Sequence, residues 1–319
     1  MPFFEPKAKI AVATSGGPDS MALLHLLSHA VPSKKNVVAL TIEHGLRTNS
    51  LAEAKAVGTW CKKHKIEHHI LPWLGAKPKT AVHEAARAAR YELLEIFCRQ
   101  HAILHLATAH HADDQAETIL QRIAKASGPH GLSGMVEHFF MPHLHLWRPL
   151  LDVRKSELLE YCEVNKIPFA RDPSNENEKY ARGRLRGVVD VLAAEGLTVE
   201  NLNRLAQKQK EVVRVLENET ARFLAAHAKI VPCTRAEISA NAFRASPAAV
   251  QQTVLEYILK LVSQHHAPIR YDSLASLCAA LSTPMFCTKT LGHCCISLKR
   301  ISKQDFILIT PEKSKSPSF

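Results

Sequence analysis

Two short polar clusters carry residue types that chemistry needs at defined spacing. The first, Ser15-Gly16-Gly17-Pro18-Asp19-Ser20, lies between the apolar runs Ile10–Ala13 and Met21–Leu24. Adjacent glycines let the backbone adopt φ > 0 and bring several N–H groups close to one anion. A helix starting there adds free N–H groups and the positive end of its dipole. The Lys-Ser/Thr ending of a Walker A loop is missing, which disfavours a kinase or GTPase. An ordinary strand-turn-helix corner is the competing reading. Two hydroxyls and a carboxylate beside the glycines exceed what a corner requires. The second cluster is His110-His111-Ala112-Asp113-Asp114-Gln115-Ala116-Glu117-Thr118. On a helix, Asp114, Glu117 and Thr118 fall at i, i+3 and i+4 on one face, while Ile119, Leu120 and Ile123 form an apolar one. Capping by Asp113 or Asp114 accounts for one carboxylate. It does not account for three with two histidines ahead of them.

These clusters need elements to position them, and the hydrophobic pattern supplies candidates. Strands are predicted at Lys9–Thr14, Asn36–Glu43, Glu67–Leu71 and Ile103–Ala109, and helices at Asp19–Ala30, Ser50–Lys65, Thr80–His101 and Asp113–Ala126. Such βαβα alternation calls for an α/β fold, a parallel twisted sheet with helices on both faces. Ligands of such sheets bind at the carboxyl ends of strands. The segments Ser15–Ser20, Glu43–Arg47 and His110–Glu117 all begin where a predicted strand ends. Gly128, Gly131 and Gly134 with Pro129, Pro142 and Pro149 make residues 129–149 read as loop and turn. A short helix follows at Arg154–Lys166, and Asp172-Pro173-Ser174-Asn175 reads as a helix entry. Further on, Val199–His227 and Ser246–Gln264 read as helices and Thr290–Thr310 as a small β-hairpin unit. The expected division is a catalytic domain at 1–192 and a mostly helical domain at 193–319 with a small C-terminal β unit.

Length and composition fit that division. A chain of 319 residues accommodates about two domains of ~100–200 residues each. A formal net charge of +11 points to a polyanionic partner, nucleic acid before membrane. The apolar stretch Met21–Ala30, interrupted by His25 and His29, falls far short of the ~20 residues of a membrane span. With no cleavable leader pattern at the start, the expectation is a cytoplasmic protein with no membrane partner. The eight cysteines show no paired CxxC spacing and read as reduced core residues.

The loop Ser15–Ser20, of the form SGGxDS, resembles the pyrophosphate (PP) loop of ATP pyrophosphatases, enzymes of HUP-like, Rossmann-type fold. Those enzymes cleave ATP between its α and β phosphates and place AMP on a substrate oxygen. With the second cluster, the chain resembles one subgroup, the tRNA(Ile)-lysidine synthetases. The matching pieces, in order, are Ser15–Ser20, His44-Gly45-Leu46-Arg47, Ala86-Arg87-Ala88-Ala89-Arg90-Tyr91, His111–Thr118 and Gly131-Leu132-Ser133-Gly134-Met135. Arg148-Pro149-Leu150-Leu151 and Asp172–Asn175 follow, so the resemblance covers about residues 9–190. Each piece alone is shared with other proteins; the ordered set is specific. Two places depart from the family pattern. Lys125-Ala126-Ser127-Gly128 stands for a usual Arg-Gly-Ser-Gly, and Arg182-Gly183-Arg184-Leu185-Arg186 for Arg-Asn-x-x-Arg. Both bear on tRNA contact rather than on the chemistry. The C-terminal region matches only loosely and suggests a reduced tRNA-binding appendage.

The resemblance implies a carbon–nitrogen ligase acting in two steps. ATP adenylates the C2 carbonyl oxygen of the wobble cytidine in a CAU anticodon, and the ε-amine of free L-lysine then displaces AMP. The lysidine formed reads AUA rather than AUG. ATP is then held by Ser15, Gly16, Gly17, Pro18, Asp19 and Ser20, with His111 beside the adenylate or capping its helix. Asp19 is the expected ligand of Mg²⁺. Asp114 and Glu117 bind the amines of lysine, one relieving the ε-ammonium of a proton. Arg90 takes the α-carboxylate. For tRNA, Lys179, Arg182, Arg184 and Arg186 place four positive charges in eight residues, and Arg204, Lys208, Lys210 and Arg214 continue the basic theme. A homodimer is admitted.

Three rivals are weaker. A tRNA cytidine thiolation enzyme shares the adenylation, but Cys61, Cys98 and Cys162 stand at no motif. A non-catalytic tRNA-binding protein with a decayed pocket conflicts with the intact Asp19, Asp114 and Glu117. A small-molecule amidotransferase-type synthetase fits poorly with the basic C-terminal half and the absent glutaminase segment.

Overall fold

A computed structural model describes residues 8–45, 50–75, 77–78, 80, 82–170, 189–265, 269–283, 286–301 and 304–312. Asp172–Asn175, Lys179, Arg182, Arg184, Arg186 and the Leu46-Arg47 half of the second motif lie outside these. The chain divides into two compact units, residues 1–123 with 134–205, and 124–133 with 206–319.

The first unit is built on alternating strands and helices: β1 Ile10–Ala13, α1 Pro18–Ala30, β2 Val37–Glu43, α2 Ser50–His64, β3 Glu67–Pro72, α3 Val82–Gln100, β4 His105–Ala107 and α4 Ala112–Ile123. After α5 Pro129–Leu132, a short turn of helix that belongs to the second unit, the first continues with β5 His138–Phe140, β6 His145–Trp147, α6 Lys155–Val164 and α7 Val189–Ala194. The six strands form one sheet in the order β3-β2-β1-β4-β6-β5. Ile10 pairs in parallel with Val37 on one side and His105 on the other. Only β5 runs antiparallel, to β6.

Both faces of this sheet are covered, which is why β1 and the Val37–Leu40 stretch of β2 are apolar throughout rather than alternating. Ile10, Val12, Val37 and Ala39 pack with Met21, Leu24, Leu27, Val57, Trp60 and Leu158 on one face. Ala11, Val38 and Leu40 pack with Leu94, Phe97, Cys98 and Leu106 on the other. The expected doubly covered parallel sheet is therefore present. The reading of residues 129–149 as loop and turn is corrected, because β5 and β6 extend the sheet there. Both are three residues long, too short to show a period. His145 lies buried within β6.

In the second unit, α8 Val199–His227, which begins within the first, leads to β7 Ala228–Val231, β8 Arg235–Ser239 and α9 Ala240–Ala245. α10 Ala248–Ser263, α11 Tyr271–Leu281, β9 Lys289–Leu291, β10 Cys294–Ile301 and β11 Gln304–Pro311 complete it. The last two strands form the expected hairpin, with Cys294 opposite Pro311 and Ile301 opposite Gln304. It is part of a five-stranded antiparallel sheet, β7-β8-β11-β10-β9, larger than the small β unit expected. Phe243, Val254, Leu255, Ile258, Leu277, Ile296 and Ile309 share its core. Among the described residues no helix is long and apolar enough to cross a membrane.

Candidate functional site

The carboxyl ends of β1, β2 and β4 gather three of the sequence motifs at one sheet edge. After β1 the backbone turns through Gly16, whose φ of +87° lies in the left-handed region that glycine enters without strain. A Cβ there would also stand 3.3 Å from Val57 Cγ2 on α2. Gly17 is the N-cap of α1 and Pro18 its first residue, where a missing N–H costs nothing. Ser20 holds the turn from inside. Its hydroxyl accepts from the Ser15 N–H at 3.1 Å, donates to the Gly17 carbonyl at 3.0 Å and lies 3.2 Å from Ser15 Oγ. Ser20 is buried, so it shapes the turn, a role that spacing alone did not show. The Gly16 carbonyl is drawn away by the Ala170 N–H at 2.9 Å.

His111 begins α4 and links the two clusters. Its carbonyl accepts from the Gln115 N–H, which makes it the N-cap. Its own N–H donates to Asp114 Oδ2 at 3.2 Å, while the Asp114 N–H donates to His111 Nδ1 at 3.3 Å. This is a reciprocal capping box with histidine in the place of the usual serine. The capping expected of Asp113 or Asp114 is thus shared by His111 and Asp114. On its far side, Nε2 lies 3.6 Å from Asp19 Oδ2 and 3.5 Å from Asp114 Oδ2, with Asp113 Oδ2 3.7 Å from Nδ1. Burial pulls this imidazole down, but the Asp19 carboxylate facing Nε2 and the charges of Asp114 and Asp113 outweigh it and raise its pKa. Three carboxylates stand together because one buried ring lies among them.

Asp113 is committed elsewhere. Its Oδ2 accepts the first N–H of α6, from Lys155, at 2.8 Å, and Arg154 reaches both of its oxygens at 3.4 Å. Burial pushes this carboxyl up, yet the Lys155 N–H and the Arg154 guanidinium hold it below the usual range. Glu117, also buried, lines a cavity of about 260 Å³ with Asp113, Lys155, Leu120, Leu192 and Leu202. A carboxylate among leucines suits a ligand with a cationic end and an alkyl body.

Gln115 makes a contact that the sequence pattern did not reveal. Its side-chain amide donates to the Met135 carbonyl at 2.9 Å and accepts from the Met135 N–H at 2.6 Å, pairing as another backbone would. Gly134 has φ +77°, and a Cβ on it would lie 2.6 Å from Gln115 Oε1. Arg122 adds a bond to the Gly134 carbonyl at 3.0 Å. The motifs at 111–118 and 131–135 therefore keep order because one grips the other. A glutamine between two acids in a helix start, nineteen residues before a glycine, was the available signal.

Arg90, on α3, is exposed and stands against the end of β2, its Nη2 3.4 Å from His44 Nε2. Of the expected site, Asp19, His111 and Asp114 are brought into one cluster. Ser15, Gly16, Gly17, Pro18 and Ser20 form the adjoining turn, and Glu117 lies one helical turn beyond Asp114. Arg204, Lys208 and Arg214 are exposed on α8 and Lys210 is half-buried.

Comparison with known proteins places this geometry. The PP-loop domain family matches residues 2–192. A tRNA(Ile)-lysidine synthase of Methylobacterium nodulans is 40% identical over 273 residues, covering 83% of this chain and 78% of its own. One from Rhodopseudomonas palustris is 37% identical over 281 residues, 86% of this chain and 80% of its own. Among solved structures, the U34-tRNA thiolase of Methanococcus maripaludis, with its [4Fe-4S] cluster, superposes at a TM-score of 0.55 and 18% identity. That match covers 65% of this chain and 74% of the thiolase and reflects a shared fold. With that extent of identity to the synthases, the chain belongs to the tRNA(Ile)-lysidine synthase family of PP-loop proteins.

Proposed function

We propose that this protein is a carbon–nitrogen ligase that converts the wobble cytidine of a CAU-anticodon tRNA(Ile) to lysidine, using ATP and free L-lysine in the cytoplasm. The identity to lysidine synthases over more than four-fifths of the chain carries this reading. In the first step the C2 carbonyl oxygen of the cytidine attacks the α-phosphorus of ATP, and pyrophosphate leaves. The amides around Gly16, Gly17 and Asp19 meet the charge building on the leaving group. In the second step the lysine ε-amine attacks C2 and AMP departs.

Asp19 suits a hard cation. Its Oδ1 is shielded from water and has no hydrogen-bond partner among the described residues, beside a turn shaped for phosphates. Mg²⁺ takes oxygen ligands, commonly one or two carboxylates plus substrate phosphates, and when bound neutralises phosphate charge. His111 holds Asp19 in place from its Oδ2 side and keeps Asp114 turned toward the same space. Asp114 and Glu117 receive the ammonium groups of lysine, and one of them accepts the proton lost before attack. Arg90 offers a planar guanidinium to the lysine carboxylate. Lys179, Arg182, Arg184 and Arg186 contact tRNA phosphates. The domain spanning 1–192 carries the chemistry, the rest of the chain binds tRNA, and a homodimer is the assembly proposed.

Thiolation finds no support in the cysteines. Burial pushes the thiols of Cys61 and Cys98 up to about 12 and that of Cys162 to about 11, far from the thiolate needed to carry sulfur. The deciding experiment incubates the purified protein with ATP, labelled lysine and unmodified CAU tRNA(Ile). Label in the RNA is expected. Its absence, with sulfur incorporated from a thiol donor instead, would transfer the protein to the thiolation class.

A further inference from the structure

At the carboxyl end of β2 stands a histidine whose two nitrogens have unequal surroundings. Arg90 Nη2 lies 3.4 Å from His44 Nε2. A guanidinium has only donors, so Nε2 accepts; the ring is then neutral with its proton on Nδ1. Burial, with the Arg90 charge next, pushes its pKa down to about 4, which agrees with a neutral ring. That leaves Nδ1–H as a donor. It is shielded from water and has no hydrogen-bond partner among the described residues. Buried donors are nearly always paired, so one left open beside a ligand edge calls for an acceptor.

The surroundings narrow the acceptor. Trp73 meets the imidazole edge-on, with ring centres 5.9 Å apart, and the Lys77 ammonium sits 4.0 Å from the centre of its indole system. The Trp73 N–H is tied to the Glu43 carbonyl at 2.8 Å. Glu43 Oε1 accepts from the Gly45 N–H at 2.7 Å and from the Ser50 hydroxyl at 2.6 Å, and no hydrogen bond joins this carboxylate to His44 among the described residues. An aromatic wall flanked by Arg90 and Lys77 repels a cationic ligand and suits a planar group attached to phosphate. A neutral N–H matches a neutral acceptor such as a ring nitrogen or carbonyl oxygen. β2 neighbours β1 on the side away from β4, so this wall and the acidic cluster flank the glycine turn from opposite sides.

We infer that His44 touches a bound nucleotide directly, its Nδ1–H donating to an acceptor atom of a nucleobase beside the glycine turn. The inference rests on the reading of that turn as a nucleotide site. The base belongs either to ATP or to an unpaired nucleotide of the RNA, and the test separates them.

The test compares wild type with His44→Asn, whose amide nitrogen reaches the Nδ1 position, and His44→Gln, whose amide reaches the Nε2 position. Pyrophosphate release gives kcat and KM for ATP and for an unmodified CAU tRNA transcript. Equilibrium dialysis with α,β-methylene ATP and filter binding of the transcript give each Kd without turnover. His44→Gln is expected to lose about tenfold in affinity for one nucleotide partner, the scale of one hydrogen bond. His44→Asn should stay within about threefold of wild type, at an unchanged melting temperature. A loss confined to ATP and its analogue assigns adenine; a loss confined to the transcript assigns an RNA base. Equal behaviour of the two variants, whether both intact or both impaired, would overturn the contact. A wild type that binds the analogue but modifies no tRNA would instead break the functional reading and leave the binding comparison standing.

Discussion

Asp19 and His111 show how much of a site rests on single atoms. Substituting Asp19 by Asn keeps its size and removes its charge. Pyrophosphate release should fall by about 100-fold or more, the scale of losing one preorganised electrostatic contact. Release at the wild-type rate would remove Asp19 from the reaction. The two histidines at this edge respond to pH in opposite senses. His44 has a depressed pKa, so its contribution to stability is present above about 6.5 and is lost as pH falls toward about 4. His111 has a raised one, so its contribution is present below about 6.5 and is lost as pH rises through the folded value. Melting profiles against pH should therefore show a shallower acid-side decline in His44→Ala, beside the share of His25, His68 and His145, and a shallower alkaline-side decline in His111→Ala. An unaltered profile would contradict the assignment for that residue. The carboxylates and glycines of this site were legible because their types and spacing are unusual for bare structure. The inward turn of the Ser20 hydroxyl was not, since it acts through a direction that a letter does not carry, and for His111 the sequence left capping and a place beside the adenylate as alternatives.

Among the elements, α4 is the best recorded in the sequence and its neighbours the worst. Its acids, apolar face and start could all be read in advance, but its grip on Met135 depends on a contact across twenty residues. Adding a methyl at Gly134 combines an unfavourable φ with a 2.6 Å clash. Gly134→Ala should cost ~2–4 kcal/mol, and Gln115→Ala ~1–3 kcal/mol from the unpaired Met135 backbone. For a unit of about 200 residues the first should lower the melting temperature by roughly 5–10 °C. A fall under about 2 °C would mean that the loop yields at no cost. β5 and β6 escaped notice for lack of length. β8 did carry a signal, because Ala236 and Ile238 alternate with half-buried or exposed neighbours as a strand requires.

For the whole molecule, the surplus of 41 Lys and Arg over 30 Asp and Glu predicts tRNA binding that weakens steeply with salt. Neutralising Arg182 and Arg184 together should flatten the slope of log K against log salt by about 1.5, at about 0.7–0.9 per phosphate contact. An unchanged slope would place the RNA elsewhere. The doubly covered sheet was legible because βα alternation around the apolar runs of β1 and β2 admits few other arrangements. The antiparallel sheet of the second unit was less so. Its five strands come from two stretches separated by α9, α10 and α11, and no local pattern announces which distant partners will pair.

The helix beginning at His111 sends its side chains in separate directions, Asp114 to the imidazole, Gln115 to the Met135 backbone and Glu117 to the leucine-lined cavity. Each inserted or deleted residue would swing everything downstream by about 100° around the axis, misdirecting all three together. Length is frozen there. At Gly75, where an added Cβ would meet nothing within 4 Å, the polypeptide has room to grow, and natural variation in loop size should collect at such places.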